Sequence, residues 1–278
     1  MASMTLHNGM ASSGTIEEHP VVSEAEWVEA RLALLKREKQ LTRERDAVNA
    51  ERRTLPWVRV EKKYVFETTA GKKTLAQLFG DKSQLIVYHF MWRHDLGEGC
   101  DGCSFLSDHI DGANLHLHAR DVTLVAVSRA PLWVLQAFRE RMGWKFEWVS
   151  SVGSDFNFDY QVSFRPEELA SGEVYHNYRK TPASIDELSG ISVFYKNDAG
   201  EVFHTYSSYE RGGEEVLGAY MWMDLVPKGR DESGPKPGMG QWLRHHDRYG
   251  VDSTDQTGGS IAEPKKESCC SVKSAISN

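Results

Sequence analysis

Residues 84–103, QLIVYHFMWRHDLGEGCDGC, decide the fold that the sequence predicts. The first seven, 84–90, are a nearly continuous apolar run, which is typical of a central strand buried on both faces. A glycine-containing loop follows and ends at Cys100, and apolar residues then recur at helical spacing over 103–119. The stretch is therefore predicted to be a buried strand, a loop, and a single helix that starts at a pair of cysteines.

Outward from this unit, short strands and helices alternate. Strands are predicted over 122–128 and 146–150 and as a hairpin over 192–207, and helices over 131–142 and about 214–225. This order predicts an α/β fold with a central mixed sheet that is covered on both faces, giving three α/β/α layers.

A long helix is predicted before the sheet, from Ser23 to about Arg53. Ser23 and Glu26 have the spacing of a capping box, in which each side chain satisfies a free backbone N–H. Apolar residues recur at every seventh position and the other faces are charged; the recurring residues are Trp27, Leu34, Leu41 and Val48. We expect this narrow seam to dock on the main domain, and the alternative is a homodimer that pairs through residues 23–53.

Composition divides the chain into five predicted segments. Residues 1–22 are expected to be a disordered leader, 23–56 a helical arm, 57–226 the sheet domain, 227–250 an extension that packs on it, and 251–278 a disordered tail. Most of the chemistry should therefore lie within 57–250.

Charge and hydropathy exclude some partners. The formal net charge of −7 argues against non-specific binding to nucleic acid, which depends on neutralising phosphates. No apolar run approaches the ~18 residues of a membrane span, and the N-terminus lacks the pattern of a secretory signal. We expect a cytoplasmic protein without a membrane or nucleic-acid partner.

The chain has four cysteines, far fewer than the ~8–10% of a disulfide-stabilised scaffold. Cys100 and Cys103 form a CxxC motif at a strand–helix junction, a pattern typical of redox centres. Free backbone N–H groups at a helix start lower the pKa of the first thiol, so Cys100 is the predicted nucleophile. Cys103, one turn into the helix, would resolve a mixed disulfide formed with a thiol or disulfide partner.

The same motif could instead be half of a metal site. Zinc, copper or iron could bind Cys100 and Cys103 with a nearby histidine such as His109, although a structural zinc needs four ligands and no second pair has a standard spacing. Unless the motif binds such a metal ion, we expect the protein to have no cofactor. Cys269 and Cys270, adjacent in the predicted tail, have no assigned role.

Further candidate site residues flank the central strands. Arg129 follows the strand at 122–128, on the side where open α/β sheets place their sites, and it could position an oxygen-containing substrate together with Trp92 and His94 of the loop. A surface salt bridge is an equal alternative for Arg129. A second group, His245, His246 and Asp247, concentrates titratable side chains. It could cover a cleft or bind an anion or a metal, although packing against the domain is the favoured interpretation.

Several long motifs resemble domain-of-unknown-function family 899, whose members are described as thioredoxin-like. They include LPWVRVEKKYVFE at 55–67, EGCDGCSF at 98–105, RDVTLVAVSRAPL at 120–132 and GISVFYKNDAGEVFHTYSSYERG at 190–212. The resemblance extends over about residues 23–250. It implies a thioredoxin-like fold with Cys100 and Cys103 at the place of the redox cysteines.

Within that superfamily the layout resembles the peroxiredoxin branch most closely. This implies a second activity, a thiol peroxidase in which Cys100 becomes a sulfenic acid and condenses with Cys103 while Arg129 polarises the oxidant. EGCDGC lacks the proline and threonine that precede the peroxidatic cysteine in peroxiredoxins. Thiol–disulfide exchange is therefore the favoured prediction.

Overall fold

A mixed eight-stranded sheet is the framework of the protein. The computed structural model describes residues 19–183, 185–232 and 239–250. The strands of this sheet are β1 (Val58–Arg59), β2 (Val65–Thr68), β3 (Gly71–Thr74), β4 (Gln84–His89), β7 (Val122–Ser128), β8 (Glu147–Ser150), β11 (Gly190–Lys196) and β12 (Val202–Tyr209). Two small hairpins add β5 (Trp92–Arg93) with β6 (Glu98–Gly99), and β9 (Glu173–His176) with β10 (Arg179–Pro182).

The strand order is β1-β12-β11-β4-β7-β8-β2-β3. β4, β7 and β8 are parallel, whereas β11 and β12 form an antiparallel hairpin whose first strand pairs with β4. β4 lies between a parallel and an antiparallel neighbour, which explains why its sequence is apolar on both faces. The predicted α/β fold with a central mixed sheet is confirmed.

Eight helices accompany the sheet in the described part of the chain. They are α1 (Glu24–Arg52), α2 (Leu75–Leu78), α3 (Asp101–Ser107), α4 (Ile110–Ala119), α5 (Leu132–Arg141), α6 (Phe156–Asp159), α7 (Pro166–Ala170) and α8 (Gly218–Met223). Single turns of 3₁₀ helix cover Met239–Gln241 and His246–Arg248, and a longer one covers Glu210–Val216.

Two helix predictions were wrong in detail. The single helix expected over 103–119 is divided into α3 and α4 at Asp108 and His109. Both residues are held there by distant elements: Trp144 Nε1 donates to Asp108 at 2.8 Å, and the backbone N–H of Ala219 donates to the His109 ring at 3.0 Å. The helix expected over 214–225 is a 3₁₀ helix followed by the short α8.

Apolar side chains form one buried cluster on each face of the sheet. In β4, Leu85 and Val87 belong to one cluster and Tyr88 to the other. Phe90, just after the strand, joins Tyr88. This division follows from the two-residue period of a strand. The cluster that contains Tyr88 also contains Cys103, so the dithiol lies at the edge of a buried aromatic core.

The arm helix α1 begins as predicted but does not dock. Ser23 and Glu26 make the full capping box. None of the 29 residues of α1, all of them described, is buried. At the end of the helix, the Arg52 guanidinium lies 4.9 Å from the centre of the Tyr206 ring of the sheet domain. Docking the seam on the domain would desolvate the charged residues that flank it, among them Arg31, Arg37 and Glu38.

The C-terminal residues 239–250 lie against the domain through Leu243 and His245, both buried. The leader, except for residues 19–22, and the tail with Cys269 and Cys270 lie outside the described residues. Among the residues that are described, no helix has the length and apolar character needed to cross a bilayer.

Candidate dithiol active site

The β5–β6 hairpin brings Cys100 back to the end of β4. Trp92 pairs with Gly99, so the residue after the hairpin starts α3 beside Met91. The backbone N–H of Cys100 donates to the Met91 carbonyl at 3.3 Å, and the N–H of Met91 donates to Cys103 Sγ at 3.4 Å. Both cysteines are thus tied to the same residue, directly after the central strand.

Two glycines allow this close approach. A Cβ atom on Gly99 would lie 2.8 Å from the Phe138 ring and 2.9 Å from the Phe90 ring. A Cβ atom on Gly102 would lie 3.2 Å from the sulfur of Met239, and Cys100 Sγ is within 4 Å of the same point. The path of the chain around Cys100 is therefore fixed by aromatic packing.

The two thiols are in different environments. Cys100 is partly exposed, whereas Cys103 is 2% exposed. A hydrogen bond from the Cys103 thiol lowers the pKa of Cys100 to about 7; burial opposes this shift, and the N–H groups of Cys103 and Gly102 add to it. Burial raises the pKa of Cys103, and so does its contact with Cys100. Near neutral pH a large fraction of Cys100 is therefore thiolate, whereas Cys103 stays a thiol.

Tyr88 is a site residue that the sequence did not identify. Its buried hydroxyl hydrogen-bonds to the Cys103 thiol, and burial raises the pKa of the phenol. In the sequence it is one more apolar residue of QLIVYHF. The only signal was its position, two residues before Phe90 and thus on the same face of β4.

The structure brings together the three residues that were predicted to position a substrate, and it does so through Glu187. This carboxylate is 2% exposed. It accepts hydrogen bonds from Arg129 Nε at 2.9 Å, from His94 Nε2 at 3.2 Å and from the backbone N–H of Trp92 at 3.1 Å. The hydrogen bond to Glu187 raises the pKa of His94. Glu187 lies in a loop before β11, and no local pattern in the sequence indicates it.

The role predicted for the Trp92 side chain was wrong. Its ring is buried at 5.6 Å from the Phe138 ring and 6.3 Å from the Trp148 ring, so it belongs to the core and contributes only its backbone N–H to the Glu187 group. Arg129 and His94 are partly exposed. Only these two side chains of the predicted three can reach a bound molecule.

The predicted cluster at 245–247 is not an open cleft. His245 is fully buried, and Arg141 Nη2 donates to its Nδ1 at 2.7 Å. Because a guanidinium cannot accept, Nδ1 carries no proton and Nε2 carries one. Nε2 donates to the Gly99 carbonyl at 2.9 Å and lies 3.1 Å from the Asp101 carboxylate. His245 therefore holds the residues on both sides of Cys100.

Ion pairs attach the rest of this segment to the same loop. Asp247 accepts from Arg141 Nε at 2.8 Å, and Arg248 Nη2 lies 2.6 Å from the Glu98 carboxylate. These arginines lower the pKa values of Asp247 and Glu98. His246 contacts Asp108 at the α3–α4 break, 2.7 Å away. The segment acts as a clamp on the loop that carries the cysteines, and we call residues 243–248 the clamp.

The metal alternative loses its third ligand. The Nδ1 of His109 donates to the Phe105 carbonyl at 2.8 Å, and its Nε2 accepts from the N–H of Ala219. Both ring nitrogens are thus used by the fold, and the assignment of His109 beside Cys100 and Cys103 was wrong. Within 19–183, 185–232 and 239–250, no three potential ligand side chains are grouped to hold a metal ion.

A family model described as "Bacterial protein of unknown function (DUF899)" matches residues 16–249. No curated protein matches. Among solved structures, the chain is similar to the bacterioferritin comigratory protein of Xanthomonas campestris, with 14% identity, a TM-score of 0.37 and coverage of 56% of this chain and 86% of that one. It is also similar to the peroxidoxin BcpB from Mycobacterium tuberculosis, with 11% identity, a TM-score of 0.39 and coverage of 59% and 94%.

Proposed function

The chain belongs to the DUF899 family of bacterial proteins of unknown function, and we propose that it is a thiol–disulfide oxidoreductase in which Cys100 is the nucleophile and Cys103 the resolving thiol. The observation that supports this most is the asymmetry of the pair. An accessible thiol with a pKa near 7 lies beside a buried thiol that donates a hydrogen bond to it. Attack by one sulfur and resolution by the other require this division.

In this reaction the two cysteines are oxidised to a disulfide while the substrate disulfide is reduced to two thiols. The Cys100 thiolate attacks one sulfur of a substrate disulfide, the substrate S–S bond breaks, and the leaving thiolate takes up a proton. Cys103 then loses its proton and attacks Cys100 Sγ, which releases the second substrate thiol. Two electrons have passed to the substrate, and a thiol reductant must reduce the Cys100–Cys103 disulfide by the reverse exchange.

Groups around Cys103 fit the second step. The hydroxyl of Tyr88 and the N–H of Met91 both point hydrogen bonds at Cys103 Sγ. These donors favour the thiolate over the thiol and oppose the effect of burial. Once Cys100 is bonded to the substrate sulfur, it no longer carries a negative charge. The two donors would then lower the barrier to attack by Cys103 on the mixed disulfide.

Two further groups are assigned to positioning. Arg129 and His94, anchored on Glu187 next to the hairpin, would orient the substrate at the mouth of the site. The clamp would hold the backbone of Cys100 through His245. We assign the protein to the cytoplasm, where thiol reductants keep such a dithiol reduced, and expect it to work without a cofactor.

The test is disulfide exchange by the purified full-length chain, followed with a chromogenic aromatic disulfide and with glutathione disulfide. The wild-type protein should exchange disulfides faster than a free thiol does, and Cys100→Ser should lose this advantage. Cys103→Ser should instead accumulate a mixed disulfide at Cys100, visible by mass spectrometry. The matched control is Cys269→Ser/Cys270→Ser, which removes two thiols elsewhere and should keep the rate.

A second assay, with peroxides as substrates, distinguishes disulfide exchange from the alternative peroxidase activity. If the reduced protein consumes hydrogen peroxide or an alkyl hydroperoxide much faster than a free thiol does while disulfides react slowly, the chain is a peroxidase. An unchanged exchange rate in Cys100→Ser would contradict both activities.

A further inference from the structure

The exposed seam of α1 has a geometry that the dithiol chemistry does not explain. Its apolar side chains are half exposed or more, from 50% for Leu34 to 64% for Leu41. The seven-residue spacing continues past the helix to Leu55. Two helices that wrap around each other bury apolar residues at two positions of every seven, and this seam supplies one of the two.

The helix also lacks the packing that normally stabilises one. Helices in proteins draw most of their stability from tertiary burial, and isolated helices are marginal in water. α1 has 29 residues, all of them described, and none is buried. A single i to i+7 ion pair, Arg31 to Glu38 at 2.8 Å, is the kind of surface contact that contributes little. Burial against a partner would supply what is missing.

The charges beside the seam indicate which partner. At 3.6 residues per turn, the seam has one row of side chains on each side. One row consists of Ala30, Arg37, Glu44 and Glu51. The other consists of Arg31, Glu38, Arg45 and Arg52. In the last three pairs of neighbours, 37 with 38, 44 with 45 and 51 with 52, the two rows carry opposite charges.

We propose that α1 pairs with α1 of a second copy of this chain, parallel and in register. In a parallel pair each row faces the opposite row of the other helix. Arg37 then meets Glu38 of the partner subunit, Glu44 meets Arg45 of the partner subunit, and Glu51 meets Arg52 of the partner subunit, and symmetry doubles each contact. Such flanking charges set partner choice and orientation in paired helices.

The antiparallel arrangement fits less well, because it places each row against the same row of the other helix. With the seam aligned about Leu41, Glu38 meets Arg45 of the partner subunit, but Arg31 meets Arg52 of the partner subunit. Like charges at these positions are destabilising. The parallel pair has opposite charges at all three charged levels and no like-charged contact, so the charge pattern favours it.

The surface at the end of α1 is consistent with the parallel pair. Leu55, Trp57 and Val58 are all at least 45% exposed and continue the apolar seam onto the edge of the sheet at β1. A parallel pair brings these patches of both copies to the same end. An antiparallel pair would separate them by the length of the helix.

The experiment is the mass of the full-length protein by light scattering and sedimentation over a concentration series. We expect twice the mass of one chain. Leu34→Glu/Leu41→Glu should raise the dimer dissociation constant by about 100-fold or more, since it places charges in the buried seam. Leu32→Glu makes the same substitution on the opposite side of the same helix, at a residue that is 58% exposed, and should leave the dimer intact.

A charge exchange tests the orientation without touching the seam. Glu44→Arg places arginine opposite Arg45 of the partner subunit and should weaken the dimer, whereas Glu44→Arg/Arg45→Glu should restore it. Thermal unfolding of the sheet domain should be the same in all variants. A wild-type mass of one chain at every concentration overturns the proposal, as does a dimer that survives Leu34→Glu/Leu41→Glu. A double exchange that fails to rescue overturns the parallel register.

Discussion

Two extensions flank the sheet domain. The one with regular secondary structure is exposed, and the one with little regular structure is buried. α1 is a long capped helix, yet none of its residues is buried, and Arg52 at its end lies against the Tyr206 ring. The clamp has only one turn of 3₁₀ helix, yet it buries Leu243 and His245 and reaches both sides of Cys100. In this protein the regular helix stays exposed, whereas the irregular segment is buried against the loop that carries the two cysteines.

The difference has a physical basis. A helix satisfies its own backbone and can remain in solvent when it is capped and charged. An irregular segment must find partners for its polar groups elsewhere, and the clamp finds them in the Gly99 carbonyl, Asp101, Asp108 and Glu98. Its structure therefore depends on the active-site loop, and the loop in turn depends on the clamp.

The largest effect should come from the same substitution made in both extensions. Leu243→Ala opens a cavity in the aromatic core and should lower the free energy of unfolding by about 2–4 kcal/mol. Leu32→Ala in α1 should change it by less than about 0.5 kcal/mol. Urea unfolding followed by tryptophan fluorescence measures both. Equal effects would mean that the two extensions do not differ in burial.

A second pair of substitutions separates the two neighbouring histidines. His245→Asn keeps an acceptor for Arg141, but the shorter amide does not reach the position of Nε2, so the hydrogen bond to Gly99 and the contact with Asp101 are lost. We expect a loss of about 1–3 kcal/mol and an increase in the pKa of Cys100, since the Asp101 carboxylate, which already opposes the thiolate, loses its partner. His246→Asn, on the exposed side, should do neither. The pH dependence of alkylation measures the thiol pKa, and a Cys100 that titrates as in the wild type would remove His245 from the site.

Acid should release the clamp before it affects the sheet. Arg248 and Arg141 lower the pKa values of Glu98 and Asp247 below their ordinary values of 4.5 and 3.8. A lowered carboxyl pKa contributes stability above the ordinary value, and that stability is lost as the pH falls through the lowered one. We expect the loss to begin below about pH 4 and to total about 1 kcal/mol, because the pairs are partly exposed. Hydrogen exchange of residues 243–248 at decreasing pH measures it, and Arg141→Gln should flatten the dependence.

The smallest effect is expected at the helix cap. Ser23→Ala removes the side-chain acceptor for the Glu26 N–H and should cost about 0.5 kcal/mol, the lower end for an exposed helix. Far-ultraviolet circular dichroism should show fraying of α1. The reactivity of Cys100 should not change, and a change would indicate coupling between the two extensions.

The sequence predicted those features whose cause is local. The strands at 84–89 and 122–128 were found because burial on both faces leaves a continuous apolar run. The start of α1 was found because a capping box needs only two residues three apart. The CxxC motif was placed at the start of a helix because it lies between a buried strand and apolar residues at helical spacing.

What the sequence did not indicate depends on distant contacts. Glu187 is separated from Trp92 by 95 residues, and His245 from Gly99 by 146. The break between α3 and α4 depends on Trp144, 36 residues after Asp108. Charge and composition identified the 245–247 cluster as unusual but could not place it, because its partners are defined by the fold.

Gly99 has a consequence for how the sequence can vary. With aromatic rings less than 3 Å from where its Cβ would lie, no other amino acid fits there without displacing Phe90 or Phe138. Substitutions at this position should be lost from any library selected for folding, whereas Asp101, half exposed, should tolerate many. The unit that this packing requires is therefore Gly-Cys-x-x-Cys, one residue longer than the cysteine motif itself.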